Sequence, residues 1–305
     1  MKKNPVRLAI IGLGHIARVY KQALKASGYT LACVCDTSPS AVNRHMYREI
    51  PFYRDYETML AREDVDVALV ATPPASHLSV AKTCLSYGVD VLMEKPATLA
   101  RDALETLLDY EEAVRHTLRV MYHLRYANEV LAFLSDDARD DAWDLEGIDI
   151  VIHDPYVDED GRILPERTAL GGAWFDSGIN ALSLIECFTP LEVLEPIDVS
   201  HVVDETNGLP VYIKQRLLAD GIPTAITIDW RRRASFKKTT LYYSDKTVEL
   251  DHTAQSLLVN GERIYKSRRK DPLVVHYENL FTHGDSEGNL DLTRKLHEYL
   301  FKLSP

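Results

Sequence analysis

The first third of the chain alternates short, unbroken apolar runs with stretches whose apolar residues recur at helical spacing. That is the rhythm of strand-helix-strand units around a parallel sheet. VRLAII, from Val6, predicts a strand, HIARVYKQALKAS a helix stopped by Gly28, and TLACVCD the next strand. The cycle repeats in VDVALVAT, in SHLSVAKTCLSY up to Gly88, and in VDVLMEK up to Pro96. A helical pattern from Arg101 to Arg115 and the apolar TLRVMYH follow. Beyond about Tyr122 the strand-like runs IDIVIH, VYIKQRLLA, TAITIDW, KTTLYYS and KTVELD are separated by short turns, which predicts a mainly antiparallel sheet. The expected class is α/β: a doubly wound parallel sheet over residues 1–121, then an α+β domain with a large, mainly antiparallel sheet over 122–305.

One helical stretch departs from a plain apolar stripe. In GGAWFDSGINALSLIECF, Ala181, Leu184, Ile185 and Phe188 keep a core-facing spacing, while Asp176 and Asn180 stand four residues apart. Residues at that separation share a helical face. Asp176 as a simple N-terminal cap is one reading; a polar pair presented to a cleft is the other.

Length and composition narrow the class. At 305 residues two ordinary domains are expected. The net charge of −11 lacks the basic footprint of a nucleic-acid binder. Cys33, Cys35, Cys84 and Cys187 are scattered, with the first two inside a strand-like run rather than a metal-binding knuckle, so buried reduced thiols and no metal site are expected. The two lysines before the first apolar run resemble an export signal, but Arg7 interrupts that run and His15 and Arg18 close it. No stretch approaches the ~18 apolar residues of a membrane span. A cytoplasmic protein is expected.

GLGHIA carries the sharpest chemistry. Gly12 and Gly14 follow the first strand and Ala17 lies in the next helix, the G-x-G-x-x-G/A spacing that lets a backbone turn tightly and approach a pyrophosphate. Asp36 closes the second strand, about 20 residues on, where a carboxylate accepts hydrogen bonds from a ribose. A carboxylate there repels a 2′-phosphate, so NAD is expected, with NADP left open by Arg44. His15 and Ile16 join the predicted cofactor contacts. So do Thr72, Pro73 and His77 of ATPPASH and Glu94 and Lys95 of MEKPA, because open α/β sheets bind ligands at the carboxyl ends of their strands.

GLGHIA, CD, VDVALVATPPASH, VLMEKP and GGAWFDSGIN, in this order, resemble the glucose-fructose oxidoreductase and inositol dehydrogenase (Gfo/Idh/MocA) family. The resemblance runs through nearly the whole chain. It implies an N-terminal Rossmann domain, a C-terminal open-faced sheet used for homodimer or homotetramer assembly, and hydride transfer between NAD(P) and a sugar-like small molecule. It also implies Lys95 and Asp176 as catalytic residues. The family histidine four residues after the aspartate is replaced by Asn180, which cannot exchange protons but can hold a sugar hydroxyl.

FDSGINALS, DWR at Asp229–Arg231 and VVHYENLF resemble the aldose 1-dehydrogenases of the family, which oxidise the anomeric carbon to a lactone; Ser177 stands where those enzymes have proline. The strand leading into the site, IHDPYVDEDGR, lacks the acidic and His-Pro elements of those enzymes; His153 at the acidic position is expected either as a structural residue or as a substrate contact. The basic run DWRRRASFKK predicts a solvated sheet face or a grip on a charged substrate. Two alternatives stand beside sugar oxidation at C1: a dehydrogenase for another ring carbon of a charged or nucleotide sugar, and an NAD-binding sensor that has lost the reaction.

Overall fold

Six strands, β1 (Val6–Ile11), β2 (Tyr29–Cys35), β3 (Phe52–Tyr53), β4 (Val67–Val70), β5 (Asp90–Glu94) and β6 (Leu118–Met121), form a parallel sheet in the order β3-β2-β1-β4-β5-β6 in the computed structural model. The structure describes residues 5–41, 43–114, 116–135, 144–283 and 289–305. Helices α1 (Ala17–Ala23), α2 (Tyr56–Arg62), α3 (His77–Ser86) and α4 (Arg101–Val114) make the connections, and a 3-10 turn, Arg44–Tyr47, leads from β2 to β3. Every residue of β4 and the last four of β1 are buried, as expected of parallel strands covered on both faces. The first helix is shorter than its apolar pattern, giving way to a 3-10 turn at Leu24–Ala26. The sequence pattern missed α2; Asp55 caps it by accepting from the Thr58 N–H at 2.7 Å.

The chain divides into two compact units, Met1–Tyr122 with Tyr277–Lys295, and His123–His276 with Leu296–Pro305. The contiguous division at residue 122 therefore needs a correction, because a late segment, contributed by α7 (Pro272–His283) and α8 (Asn289–Lys302), returns to the parallel-sheet unit. Three contacts explain the return. The Tyr277 hydroxyl donates to Glu94, and its ring stands edge-on to Tyr20 at 5.3 Å. Asn289 accepts from the Val120 N–H at 2.7 Å and donates to the Val120 carbonyl at 3.2 Å. It thereby does for the outer edge of β6 what a further strand would do. Tyr122 donates to the Thr293 hydroxyl at 3.1 Å.

The second unit is built on eight strands: β7 (Leu145–Pro155), β8 (Leu194–Val203), β9 (Pro210–Ala219), β10 (Ile222–Asp229), β11 (Arg231–Tyr243), β12 (Thr247–Asp251), β13 (Ser256–Val259) and β14 (Glu262–Lys266). Their order is β14-β13-β12-β11-β7-β10-β9-β8, antiparallel throughout except for the parallel pair β7 and β10. Period-two alternation buries Ile148, Ile150 and Ile152 of β7, Ile213 and Leu217 of β9, and Ile226 and Ile228 of β10. Asp149, Lys214, Arg216 and Lys238 alternate with them on the opposite, more polar face. Helices α5 (Asn128–Leu134) and α6 (Ile179–Phe188) complete the unit. No described helix is long and apolar enough to cross a membrane. The acidic run DDARDD and Arg115 lie outside the described residues.

Candidate functional site

Gly12 has φ +101°, and a Cβ built there would lie 2.6 Å from the Ala71 carbonyl oxygen, so only glycine fits where β1 turns past β4. At Gly14 the situation is reversed. It is exposed, and a Cβ would meet nothing within 4 Å. This bare backbone before α1 has the shape that a pyrophosphate needs for close approach. Ala17 is buried, as helix-on-strand packing requires; His15 is exposed and Ile16 half-buried at the helix entry. Asp36 accepts the Leu13 N–H at Oδ2 and the Ser38 N–H at Oδ1, both at 2.8 Å. Its carboxylate therefore pins the glycine loop to the end of β2 and keeps lone pairs for a ribose. These residues fit a dinucleotide.

At the end of β4, Thr72 accepts from the Ser76 hydroxyl at 2.8 Å, and exposed Pro73 leads into a 3-10 turn. His77, placed among the cofactor contacts by its sequence position, is fully buried. Its Nδ1 lies 3.0 Å from the Pro96 carbonyl and its Nε2 2.8 Å from the Thr72 carbonyl, tying the loops after β4 and β5 together. Burial holds its pKa below the ordinary histidine value, although both carbonyls pull the other way. Glu94 is a similar tie. It is buried and accepts from Tyr20 at 2.5 Å and from Tyr277, while burial pushes its carboxyl above the usual range. Lys95, next in the chain, is half-buried and joined to Pro96 by a cis peptide bond.

In the second unit the alternation of β7 decides which acid matters. Asp154, two residues past Ile152, falls on the apolar face and is 5% exposed. His153 falls on the other face, half-buried, with its ring 5.7 Å from Phe236. Burial and the nearby Arg232 hold its pKa down. Sequence reasoning chose His153 and missed Asp154, although the Ile148-Ile150-Ile152 alternation pointed to it. Asp154 pairs with Lys237 of β11 at 2.7 Å and accepts from the Ser177 hydroxyl at 2.7 Å. Ser177 in turn accepts from the Trp230 indole N–H at 3.0 Å.

Ser177 belongs to a π-helical turn, Trp174–Gly178, that runs into α6. Such widened turns recur at functional sites. Close packing accompanies it: a Cβ at Gly178 would lie 2.6 Å from the Trp174 ring, whose indole N–H donates to the Leu300 carbonyl at 2.8 Å. Neither helical segment has a side-chain cap, so the cap reading of Asp176 does not hold. Asp176 is buried inside the turn and hydrogen-bonded by the Tyr156 hydroxyl. Arg167 stacks over the Tyr156 ring at 4.4 Å.

Asp176 and Asn180 are joined across the start of the α-helix. Asn180 Nδ2 reaches the main-chain carbonyl of Asp176, at 3.4 Å. Its Oδ1 is buried and has no partner among the described residues. The basic run is largely absorbed locally. Arg231 and Arg232 both pair with buried Asp229 at 2.9 Å, and Arg233 donates to the Glu159 carbonyl at 2.8 Å. The register shift between Arg231 and Phe236 breaks the simple alternation expected of that strand. No group of three or more His, Cys, Asp or Glu among the described residues is arranged to hold a metal ion.

A parallel sheet in this strand order, with an open glycine turn and a carboxylate at the end of its second strand, defines the class of dinucleotide-binding Rossmann proteins. Residues 6–122 match the model of the Gfo/Idh/MocA family, described as "Oxidoreductase family, NAD-binding Rossmann fold". It is 33% identical over 141 residues to a glycosyl hydrolase family 109 protein of Saccharopolyspora erythraea, covering 42% of this chain and 31% of the relative. It is 26% identical over 187 residues to the rhizopine catabolism protein MocA of Rhizobium meliloti, covering 61% and 58%. The chain thus spans about a third of the length of the first curated relatives it matches. Among solved structures, UDP-N-acetylglucosamine 3-dehydrogenase from Acidithiobacillus ferrooxidans shares the fold with a TM-score of 0.76 at 18% identity, covering 97% of this chain and 95% of that one.

Two outcomes follow from this geometry. Gly14→Ala should keep the unfolding free energy within about 1 kcal/mol, because the added methyl meets no neighbour, yet weaken NADH binding at least tenfold in a fluorescence titration. His77 has a folded-state pKa below its unfolded value of roughly 6.5, so its contribution is present above that pH and lost as pH falls. Urea midpoints measured from pH 7 to pH 5 should decline, and His77→Gln should decline less steeply.

Proposed function

We propose that the protein is a cytoplasmic NAD(P)-dependent dehydrogenase acting on a hydroxyl-bearing carbon of a sugar or sugar derivative, with the anomeric carbon of an aldose as the reacting position. The observation that carries this reading is the polar turn of the second unit. Asp176 is buried there beside Tyr156, and Asn180 Oδ1 is a buried acceptor with no partner among the described residues. A buried, unmatched acceptor costs about 1–3 kcal/mol. A substrate hydroxyl would remove that cost, and sugars are rich in hydroxyls.

When bound, NAD(P) supplies the hydride acceptor or donor; the remaining work falls to side chains. Lys95 takes or polarises the hydroxyl proton. Asp176 and Asn180 orient the hydroxyl-bearing carbon. Since asparagine does not titrate, proton transfer rests on Lys95, whose ordinary pKa of about 10.4 must be lowered for efficient base catalysis. Gly12, Gly14, His15, Ile16, Asp36, Thr72 and Pro73 hold the dinucleotide, while His77 and Glu94 act at one remove by fixing the loops that carry Thr72 and Lys95. His153 serves as an outer substrate contact at most. Assembly as a homodimer or homotetramer through the open sheet belongs to the same proposal.

A second reading, oxidation at another ring carbon of a nucleotide sugar, is motivated by similarity to an enzyme named UDP-N-acetylglucosamine 3-dehydrogenase. Following NADH absorbance with saturating NAD across aldoses, polyols and nucleotide sugars separates the two. Lys95→Ala should lower kcat at least a hundredfold and shift the NADH Kd less than about twofold. NADH binding without turnover on any of these substrates would instead mark a sensor, and loss of NADH affinity in Lys95→Ala would assign Lys95 a structural role.

A further inference from the structure

Arg167 is held beside the polar turn of the second unit with no carboxylate to pair with among the described residues. After β7 the chain folds back on itself: Val157 bridges to Ile163, and the Leu164 N–H donates to the Tyr156 carbonyl at 2.9 Å. A 3-10 turn, Pro165–Leu170, follows, opened by a proline and closed by Gly171 at φ +82°. This short path returns Arg167 to the face of the Tyr156 ring, where its guanidinium stacks at 4.4 Å. Its Nε is buried and has no acceptor among the described residues. The side chain as a whole is half-buried, and its two Nη groups, neither enclosed nor bonded within the described residues, are the end that a ligand can reach.

The neighbouring arginines are satisfied by the protein itself. Arg231 and Arg232 pair with Asp229 at 2.9 Å, and Arg233 donates to the Glu159 carbonyl at 2.8 Å. Tyr156 explains why Arg167 differs. The tyrosine is fixed against Trp230, with ring centroids 5.0 Å apart; its hydroxyl donates to Asp176 while its face carries the guanidinium. One ring thus holds a carboxylate at its edge and a cation on its face, and keeps them from closing into an ion pair.

Opposite charges held apart in this way attract a ligand that offers a donor to one and an anion to the other. The span of a tyrosine ring suits a six-membered sugar, with a hydroxyl at Asp176 and a substituent on the far side of the sugar at Arg167. Stacking fixes the plane of the guanidinium, and a fixed planar fork matches the paired oxygens of a carboxylate or phosphate. A neutral hydroxyl there would leave the cation unmatched. We propose that Arg167 anchors an anionic substituent of the substrate, so that the sugar taken by the Asp176 turn carries a carboxylate or a phosphate, as uronic acids and aldose phosphates do. This rests on Asp176 facing the substrate, as in the proposed function, and narrows the class of sugar.

Calorimetric titration of the NADH-saturated full chain with D-glucuronate, D-galacturonate and aldose 6-phosphates, each against its neutral aldose, reads binding apart from turnover. At least one anionic sugar should bind about tenfold or more tightly than its neutral counterpart, the effect of one charge-assisted contact. Arg167→Gln should abolish that preference and shift the NADH Kd less than about twofold, which reports that the variant is folded. Arg167→Lys should restore only part of the preference, because an ammonium lacks the planar fork. The uronates and the phosphates distinguish a carboxylate from a phosphate as the anchored group. Neutral sugars that bind as tightly as every anionic counterpart, or a preference that survives in Arg167→Gln, would overturn the proposal. Anionic sugars that bind through Arg167 yet never reduce NAD would uphold the anchor and overturn the dehydrogenase reading, whereas turnover of neutral aldoses without any anionic preference would do the reverse.

Discussion

A carboxylate buried at the end of a strand has to be paired, and in this protein the pairing of Asp154 organises the unit built on the eight-stranded sheet. Lys237 supplies the charge and Ser177 the hydrogen bond. Leaving such a group with one partner fewer costs about 3–5 kcal/mol when a buried ion pair is broken. The arrangement is therefore less a source of net stability than a constraint on position. Ser177 can satisfy Asp154 and accept from Trp230 only if the chain turns as it does at Trp174–Gly178. That turn buries Asp176 beside Tyr156 and leaves Asn180 Oδ1 without a partner among the described residues.

The nucleotide-side unit works by comparable ties. Asp36, His77 and Glu94 each join segments far apart in sequence: the glycine turn to β2, the end of β4 to that of β5, and β5 to α1 and α7. All three were read as cofactor contacts in the sequence. They share the motif with the contacts because a loop that must hold a ligand in one place needs a buried group behind it. The cysteines play no such part. Cys33, Cys35 and Cys84 are buried and burial pushes their thiols up to about 12, which keeps them protonated and unreactive.

Much of the fold was legible where structure is local. The parallel strands read as unbroken apolar runs because helices cover both faces, and Gly12, Gly14 and Asp36 are fixed by a turn within one strand-helix-strand unit. Legibility failed where elements are short or doubly exposed. β3 is two residues long, and β8 is exposed at every residue after Leu194, so neither leaves a periodic trace. The return of Tyr277–Lys295 depends on Glu94, Val120 and Tyr122, which no local pattern encodes. In the site, the π-helical turn depends on the tertiary fit of Gly178 to Trp174, which helical spacing does not encode. Asp154 was legible and overlooked.

The account depends on hydride leaving a sugar carbon for the nicotinamide while Asp176 and Asn180 hold the neighbouring oxygen. The most direct measurement is isotope transfer: the protein is incubated with NAD and aldoses deuterated at C1, and the reduced nucleotide is analysed by mass spectrometry and NMR. The account predicts deuterium at C4 of the nicotinamide with at least one aldose. Bound NAD that acquires no label from any aldose, while the sugars keep theirs, would contradict it.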